Sequence, residues 1–286
     1  MVQSAFPKMD PSEDGVYQIY SLCYGHLAQR RVHDNFMRRD MHDGPMPLDF
    51  NVWIVRNEHR TVLVDTGFSQ RAADERRWQL LFDPVEAIGK LGIAPESVQD
   101  VFVTHLHFDH AGNIDRFPQA RLHVQDAEVN FATGRCMCEP NLRAPFDVED
   151  MVALVRRLYG GRVCFHDGDA SPLPGITVHS VPGHTPGTQA VRVMTPRGPV
   201  LLASDSTHYF ANVLRRSPFS STVDAIATLR SYSRLMELAG TVDRLIPGHD
   251  PRIRALYPSV TLNGVELQLL HETPLPHDVA QLSQVP

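Results

Sequence analysis

The stretch Thr104-His105-Leu106-His107-Phe108-Asp109-His110 constrains the fold more than any other part of the chain. Three imidazoles and a carboxylate fall within six residues, directly after the apolar run Val101–Val103. A core strand does not choose such groups, because each buried polar atom must find a partner. A loop leaving a strand lets alternate side chains point to different places, so this cluster could feed two adjacent metal ions. The mixture of imidazole and carboxylate suits Zn2+ best, with Fe, Mn or Co open. Four more apolar runs end in ligand-type residues. Thr61–Val64 ends at Asp65-Thr66-Gly67, and Ile176–Val181 at Pro182-Gly183-His184-Thr185. Pro199–Ala203 ends at Ser204-Asp205, and Asp243–Ile246 at Pro247-Gly248-His249-Asp250. A lone His or Asp after a strand is ordinarily a turn or cap residue. Five such endings together predict one cleft outside the strand ends of a layered α/β protein.

The remaining periodicity fits that class. Further predicted strands are Val16–Tyr24, Phe50–Arg56, Arg121–Val124, Arg162–Phe165 and Ala190–Met194, short and bounded by Gly, Pro or Asp. Predicted helices are Pro84–Leu91, Asp126–Thr133, Val148–Tyr159 and Thr222–Ala239. In the last, Val223, Ile226, Ala227, Leu229, Leu235 and Leu238 approximate one apolar face. The chain has 286 residues, 42% hydrophobic, enough for one large core. A net charge of −6 argues against a protein built to hold nucleic acid. No apolar run approaches the roughly 20 residues that span a bilayer. Met1–Asp10 lacks the basic start and apolar run of a secretory signal, so a cytoplasmic setting is expected. Fifteen histidines stand against four cysteines and two lysines. His26, His33, His42, His59, His123, His166, His179, His271 and His277 lack a ligand context and read as surface or internally satisfied. Cys136-Met137-Cys138 has no second pair at zinc-site spacing and reads as idle thiols. Arg135–Asp147 is irregular. So is Gly25–Asp49, a long loop placed to cover an active site. Its Phe36, Met37, Met41 and Met46, with Phe68 and Phe108, either line an apolar substrate pocket or pack the loop onto the core.

His105-x-His107-x-Asp109-His110, followed by His184, Asp205 and His249, resembles the dinuclear metal site of the metallo-β-lactamase-fold hydrolases. The resemblance runs from about Phe50 to Asp250. It implies an αββα sandwich, two mixed sheets face to face with helices outside, in a single domain over 1–286. It also implies two Zn2+ per chain. His105, His107 and His184 would hold the first, Asp109, His110 and His249 the second, and Asp205 would bridge them. Asp65 would support the ligand loop from behind. Within the superfamily the chain is most similar to the N-acyl homoserine lactonases, on Val64-Asp65-Thr66-Gly67, His105 to Asn113, Pro182 to Gly187 and Gly248-His249-Asp250. The bridging Asp205 is usually lacking in true β-lactamases, and His107 stands where flavodiiron proteins carry Glu.

That resemblance implies a quorum-quenching lactonase in which a metal-bridging hydroxide opens a lactone ring. Two metals roughly 3.5–4 Å apart can share such a hydroxide. Asp109 is the candidate proton shuttle. Lactonases of this group place a tyrosine three residues after the bridging Asp. Here that position is His208, with Tyr209 next, and either could donate to the developing oxyanion. A related hydrolase of a pyridoxolactone-like lactone, an ester or a glyoxalase II-like thioester stays open, as does a homodimer. The tail after Arg254 lacks the basic residues that glyoxalase II would want for glutathione.

Overall fold

The computed structural model describes residues 5–7, 14–38, 43–276 and 279–284. Its strands are β1 (Gln18–Leu27), β2 (Leu48–Arg56), β3 (Thr61–Val64), β4 (Asp100–Phe102), β5 (Arg121–Gln125), β6 (Val163–His166) and β7 (Ala170–Leu173). They continue with β8 (Ile176–Ser180), β9 (Gln189–Thr195), β10 (Gly198–Ser204), β11 (Leu245–Pro247), β12 (Ser259–Leu262) and β13 (Val265–Leu269). One sheet has the order β12-β13-β1-β2-β3-β4-β5-β6 and the other β11-β10-β9-β8-β7. Both are mixed. In the first, β3 to β6 run parallel while β1, β2, β12 and β13 are antiparallel neighbours. In the second, only β10 and β11 pair in parallel.

The alternation of side chains along a strand explains why these runs are apolar on both faces. Along β2, Trp53 and Val55 turn to the opposite sheet, meeting residues such as Val191, Val193 and Leu202. Val52 and Ile54 turn outward onto helices. The helices of the molecule include α1 (Gln70–Arg76), α2 (Pro84–Lys90), α3 (Phe108–Ala111), α4 (Asp126–Ala132), α5 (Pro140–Arg143), α6 (Val148–Tyr159), α7 (Phe210–Leu214) and α8 (Ala225–Ala239). Ala72, Ile88, Phe131 and Leu154 cover the first sheet. Tyr232, Leu235 and Ala239 of α8 cover Leu201 and Ala203 of the second. The expected helix–sheet–sheet–helix layering is therefore present.

Some expectations need correction. α8 begins at Ala225, because the Asp224 carboxylate caps the amides of Ile226 and Ala227. Its buried face is Thr228, Ser231, Tyr232, Leu235 and Ala239, whereas Val223 and Ile226 are exposed. β7, β12, β13 and α1 have no counterpart among the expected elements. Arg135–Asp147 is not structureless, since it contains a 3-10 turn at Arg135–Cys138 followed by α5. No helix among the described residues is long and apolar enough to cross a membrane.

Candidate metal centre

Asp65 follows β3 in left-handed backbone, φ 62°, a conformation that a short polar side chain tolerates. Its Oδ1 accepts from the Thr104 amide at 2.8 Å and its Oδ2 from the Thr104 hydroxyl at 2.8 Å. Oδ2 also lies 2.7 Å from His110 Nδ1. With that proton directed at Asp65, His110 Nε2 is the nitrogen free to ligate. His249 is oriented in the same way, its Nδ1 lying 2.7 Å from the Asp49 carbonyl. His105 and His107 are two residues apart beyond β4. α3 starts immediately after His107 and carries Asp109 and His110 on its turn. This switch from loop to helix is what divides one short motif between two groups.

The donor atoms of His105, His107 and His184 lie within 4.8 Å of one another, as do those of Asp109, His110 and His249. Asp205 stands between the two groups. Its Oδ1 is 2.8 Å from His249 Nε2 and 3.3 Å from His110 Nε2. Its Oδ2 is 3.3 Å from His184 Nε2 and 3.9 Å from His105 Nε2. The carboxylate thus presents one oxygen to each group. Gly248 permits this placement, since a Cβ there would come within 2.5 Å of Asp205 Oδ1.

All seven residues are buried, Asp109 being the most exposed at 9%. Burial drives the imidazoles of His105 and His184 well below their ordinary pKa and His107 down to about 4. These rings are therefore neutral, the form that ligates metal. For His110 and His249 burial acts in the same direction, but the carboxylates of Asp205 and Asp109 outweigh it and raise both. Burial likewise opposes the charge on Asp109 and Asp205, yet the surrounding imidazoles hold both carboxyls low. The two buried carboxylates thus draw positive charge into the site, as protons on His110 and His249 or as cations in their place. An orphaned atom agrees, because His105 Nε2 is buried without a hydrogen-bond partner. The donor set fits two divalent ions.

His208 Nε2 lies 2.9 Å from Asp205 Oδ2, and its ring stacks on Phe219 with centroids 3.5 Å apart. Tyr209 is different. Its hydroxyl donates to the Pro47 carbonyl at 3.1 Å, and the ring sits in the core between sheet and helices. The expectation that Tyr209 could face substrate is corrected, because that bond turns its only polar atom toward the backbone before β2.

A cleft of about 220 Å3 opens over Asp109, Asp205 and His249. Leu48, Phe50, Trp78, Phe108, Pro145 and Phe219 supply its apolar wall, with Arg30, Ser220 and Ser221 at the polar side. A second cavity of about 570 Å3 shares Trp78, His107, Phe108 and Pro145 and extends past Leu142 and Val223. Of the residues expected to line an apolar pocket, Phe108 does so. Phe36, Met46 and Phe68 instead are buried core. Met37 is 44% exposed and lines neither cavity. Met41 lies outside the described residues. The Gly25–Asp49 segment reaches the cleft through Arg30 and Leu48.

Glu128 escaped the sequence reading. It is fully buried at the start of α4, where Oε1 accepts from the Leu106 amide at 2.8 Å. Oε2 accepts from the Thr185 hydroxyl at 2.6 Å and the Gly187 amide at 3.2 Å. It therefore fastens the His105–His110 loop to the His184 loop. An acid in the first turn of a predicted helix looks like a dipole partner, so nothing in the sequence marked it out. Cys136 and Cys138 are unpaired thiols and belong to no metal-type cluster among the described residues. Among the histidines without a predicted role, His26 pairs with Asp49 and His179 with Asp169. His42 and His277 lie outside the described residues.

The metallo-beta-lactamase superfamily model matches residues 47–249. N-acyl homoserine lactonase AttM of Azorhizobium caulinodans is 32% identical over 82% of this chain and 93% of its own. A solved N-acyl homoserine lactone hydrolase, with N-hexanoyl-L-homoserine bound at its catalytic metal centre, superposes with a TM-score of 0.69. It is 24% identical and covers 84% of this chain and 96% of its own. AidC, a dizinc quorum-quenching lactonase solved with a product, gives a TM-score of 0.67 at 16% identity over 93% of this chain and 96% of its own. From its sequence and its layered sheets, the chain belongs to the metallo-beta-lactamase superfamily.

Proposed function

We propose that this protein is a dinuclear zinc lactonase that hydrolyses N-acyl homoserine lactones. The observation that carries the reading is Asp205, whose two oxygens address two separate sets of nitrogen donors. His105, His107 and His184 would hold one ion, Asp109, His110 and His249 the other, with Asp205 between. When bound, such a pair supplies a water acidified toward neutrality and a Lewis acid for the carbonyl oxygen.

The rest is done by side chains. Asp109 lines the cleft, so its carboxylate can take a proton from the attacking water and return it to the ring oxygen as the acyl C–O bond breaks. Water and lactone then yield the open hydroxy acid with no proton left over. His208, neutral because burial pushes its pKa to about 4, donates from Nε2 to Asp205 Oδ2 and fixes the bridging carboxylate. It is a positioning residue on this reading and not a free oxyanion donor. The lactone ring would lie over Asp109 and Asp205, with the acyl chain against Trp78, Phe108 and Pro145 toward the second cavity. The similarity to AttM supports this substrate class.

The test is to measure metal content on purified protein, then assay acyl homoserine lactones, aromatic lactones and thioesters beside a His107→Ala control. At least two zinc ions per chain and lactone turnover lost in the variant are expected. Fewer than two ions, or turnover that survives the substitution, would refute the proposal.

A further inference from the structure

A second group of metal-type donors shares no residue with the site above. His123 on β5 and Cys164 on β6 are register partners in the parallel pair. His166 lies two residues beyond Cys164 and so projects from the same face. That face is the inner one, because His123 is also the partner of Phe102, which packs between the sheets. The row of apolar contacts thus gives way at the β6 edge to two imidazoles and a thiol.

Their donor atoms lie within 4.8 Å of one another. His123 Nδ1 and His166 Nε2 are 3.1 Å apart, and the two rings are nearly parallel at 12°. Two nitrogens bound to a tetrahedral Zn2+ at its usual bond length stand about 3.3 Å apart, so little movement is needed to admit an ion. His123 is also oriented as a ligand would be. Its Nε2 lies 3.0 Å from Asp100 Oδ1, which directs the ring proton to that side and leaves Nδ1 as the lone-pair nitrogen. Arg121 holds the same carboxylate oxygen at 2.9 Å, and Phe102 stacks on the imidazole with centroids 4.3 Å apart. A plain histidine–histidine hydrogen bond accounts for two of these groups. It gives no part to Cys164, whose thiol completes a nitrogen–nitrogen–sulfur set.

We propose that His123, Cys164 and His166 form an additional site for a thiophilic divalent ion, Zn2+ by preference, which clips the edge strand β6 to β5. Cys164 is partly exposed, which gives an ion a route in and leaves a fourth position for water.

The full-length protein carrying Cys136→Ser and Cys138→Ser is the starting point, leaving Cys164 and the buried Cys23 as its thiols. Metal per chain is counted on this protein as purified and on the same protein with Cys164→Ser. Co2+ is then titrated into both, and into a His166→Ala version, while the near-ultraviolet sulfur-to-cobalt band is followed. The catalytic donor set contains no sulfur, so that band reports only a thiolate site. The proposal expects either a metal count lower by about one in Cys164→Ser, or a band saturating at about one equivalent that Cys164→Ser abolishes and His166→Ala weakens. Lactone turnover by the Cys164→Ser protein shows that it remains folded. An unchanged metal count together with no band, or a band that survives Cys164→Ser, overturns it.

Discussion

Replacing Gly248 by alanine tests whether the close approach of β11 to Asp205 builds the site. A Cβ at this position would stand 2.5 Å from Asp205 Oδ1 and 2.9 Å from the Ser204 carbonyl carbon. Real Cβ contacts under 3.0 Å essentially never occur and ordinary ones begin near 3.4 Å, so the carboxylate oxygen must retreat by about 0.5–0.9 Å. The backbone has little room to yield instead. The Gly248 amide donates to the carbonyls of Ser204 at 3.0 Å and Thr207 at 3.1 Å, and Asn51 Nδ2 donates to the Gly248 carbonyl at 3.0 Å. The displaced oxygen is the one lying 2.8 Å from His249 Nε2 and 3.3 Å from His110 Nε2. A displacement near 1 Å at a reacting centre costs on the order of 10²-fold in rate. Overpacking should also cost about 1–3 kcal/mol of stability. The assay is kcat on an N-acyl homoserine lactone, with metal per chain and the urea midpoint measured on the same preparation. Gly89→Ala is the control, since a Cβ there meets nothing within 4 Å on α2. If Gly248→Ala keeps its metal and a kcat within about threefold of wild type, the reasoning from close approach is wrong.

Asp65→Asn should present an amide donor to His110 Nδ1, moving the ring proton to Nε2 and weakening metal affinity about 10–100-fold in a chelator competition. Unchanged affinity would show that Asp65 does not set the tautomer. His208→Phe keeps the stack on Phe219 but frees Asp205 Oδ2, and kcat should fall about tenfold or more. Tyr209→Phe should leave kcat alone and lose only about 1 kcal/mol of stability. Equal effects on turnover would contradict the different placements of these neighbours. Asp150 is buried in the first turn of α6 with Oδ2 lacking a hydrogen-bond partner. Burial, reinforced by Asp147, pushes its pKa from 3.8 to about 7. Below about pH 4 folded and unfolded chains both hold that proton. Between pH 4 and 7 the unfolded chain releases it first, so stability falls as pH rises, by up to about 4 kcal/mol. Asp150→Asn should remove that slope and gain on wild type between pH 5 and pH 8 in urea titrations. Parallel pH profiles would refute the assignment.

The candidate donors were legible in the sequence for a physical reason. His105, His107, Asp109, His110, His184, Asp205 and His249 are residue types that a core excludes unless each polar atom is matched. Their repeated position after apolar runs therefore points to ions that match them. The same logic made Asp65 visible. It could not distinguish His208 from Tyr209, because neighbouring side chains on one turn point apart and only the backbone decides which meets Asp205. Strands β12 and β13 were also hidden. They complete the first sheet by pairing beside β1, a contact between the two ends of the chain that local periodicity does not contain.

The substrate wall marks where such reading stops. Phe36, Met46 and Phe68 are the same kinds of residue as Phe50, Trp78 and Phe219 and pack in the same cluster, yet only the last three also border the cleft. Apolar side chains serve both purposes with the same chemistry, so composition cannot separate them. What separates them is which loops meet over Asp205. The residues bordering the cleft come from positions as distant as Arg30, Trp78, Pro145 and Phe219. Donors for a metal must be correct in chemical kind, whereas a wall for an acyl chain must only be correct in place. Superfamily members can therefore keep one ligand motif while their substrates diverge. With the acyl chain placed as proposed above, the residues to exchange for a change of specificity are Trp78, Pro145 and Phe219 and not the donors beneath them.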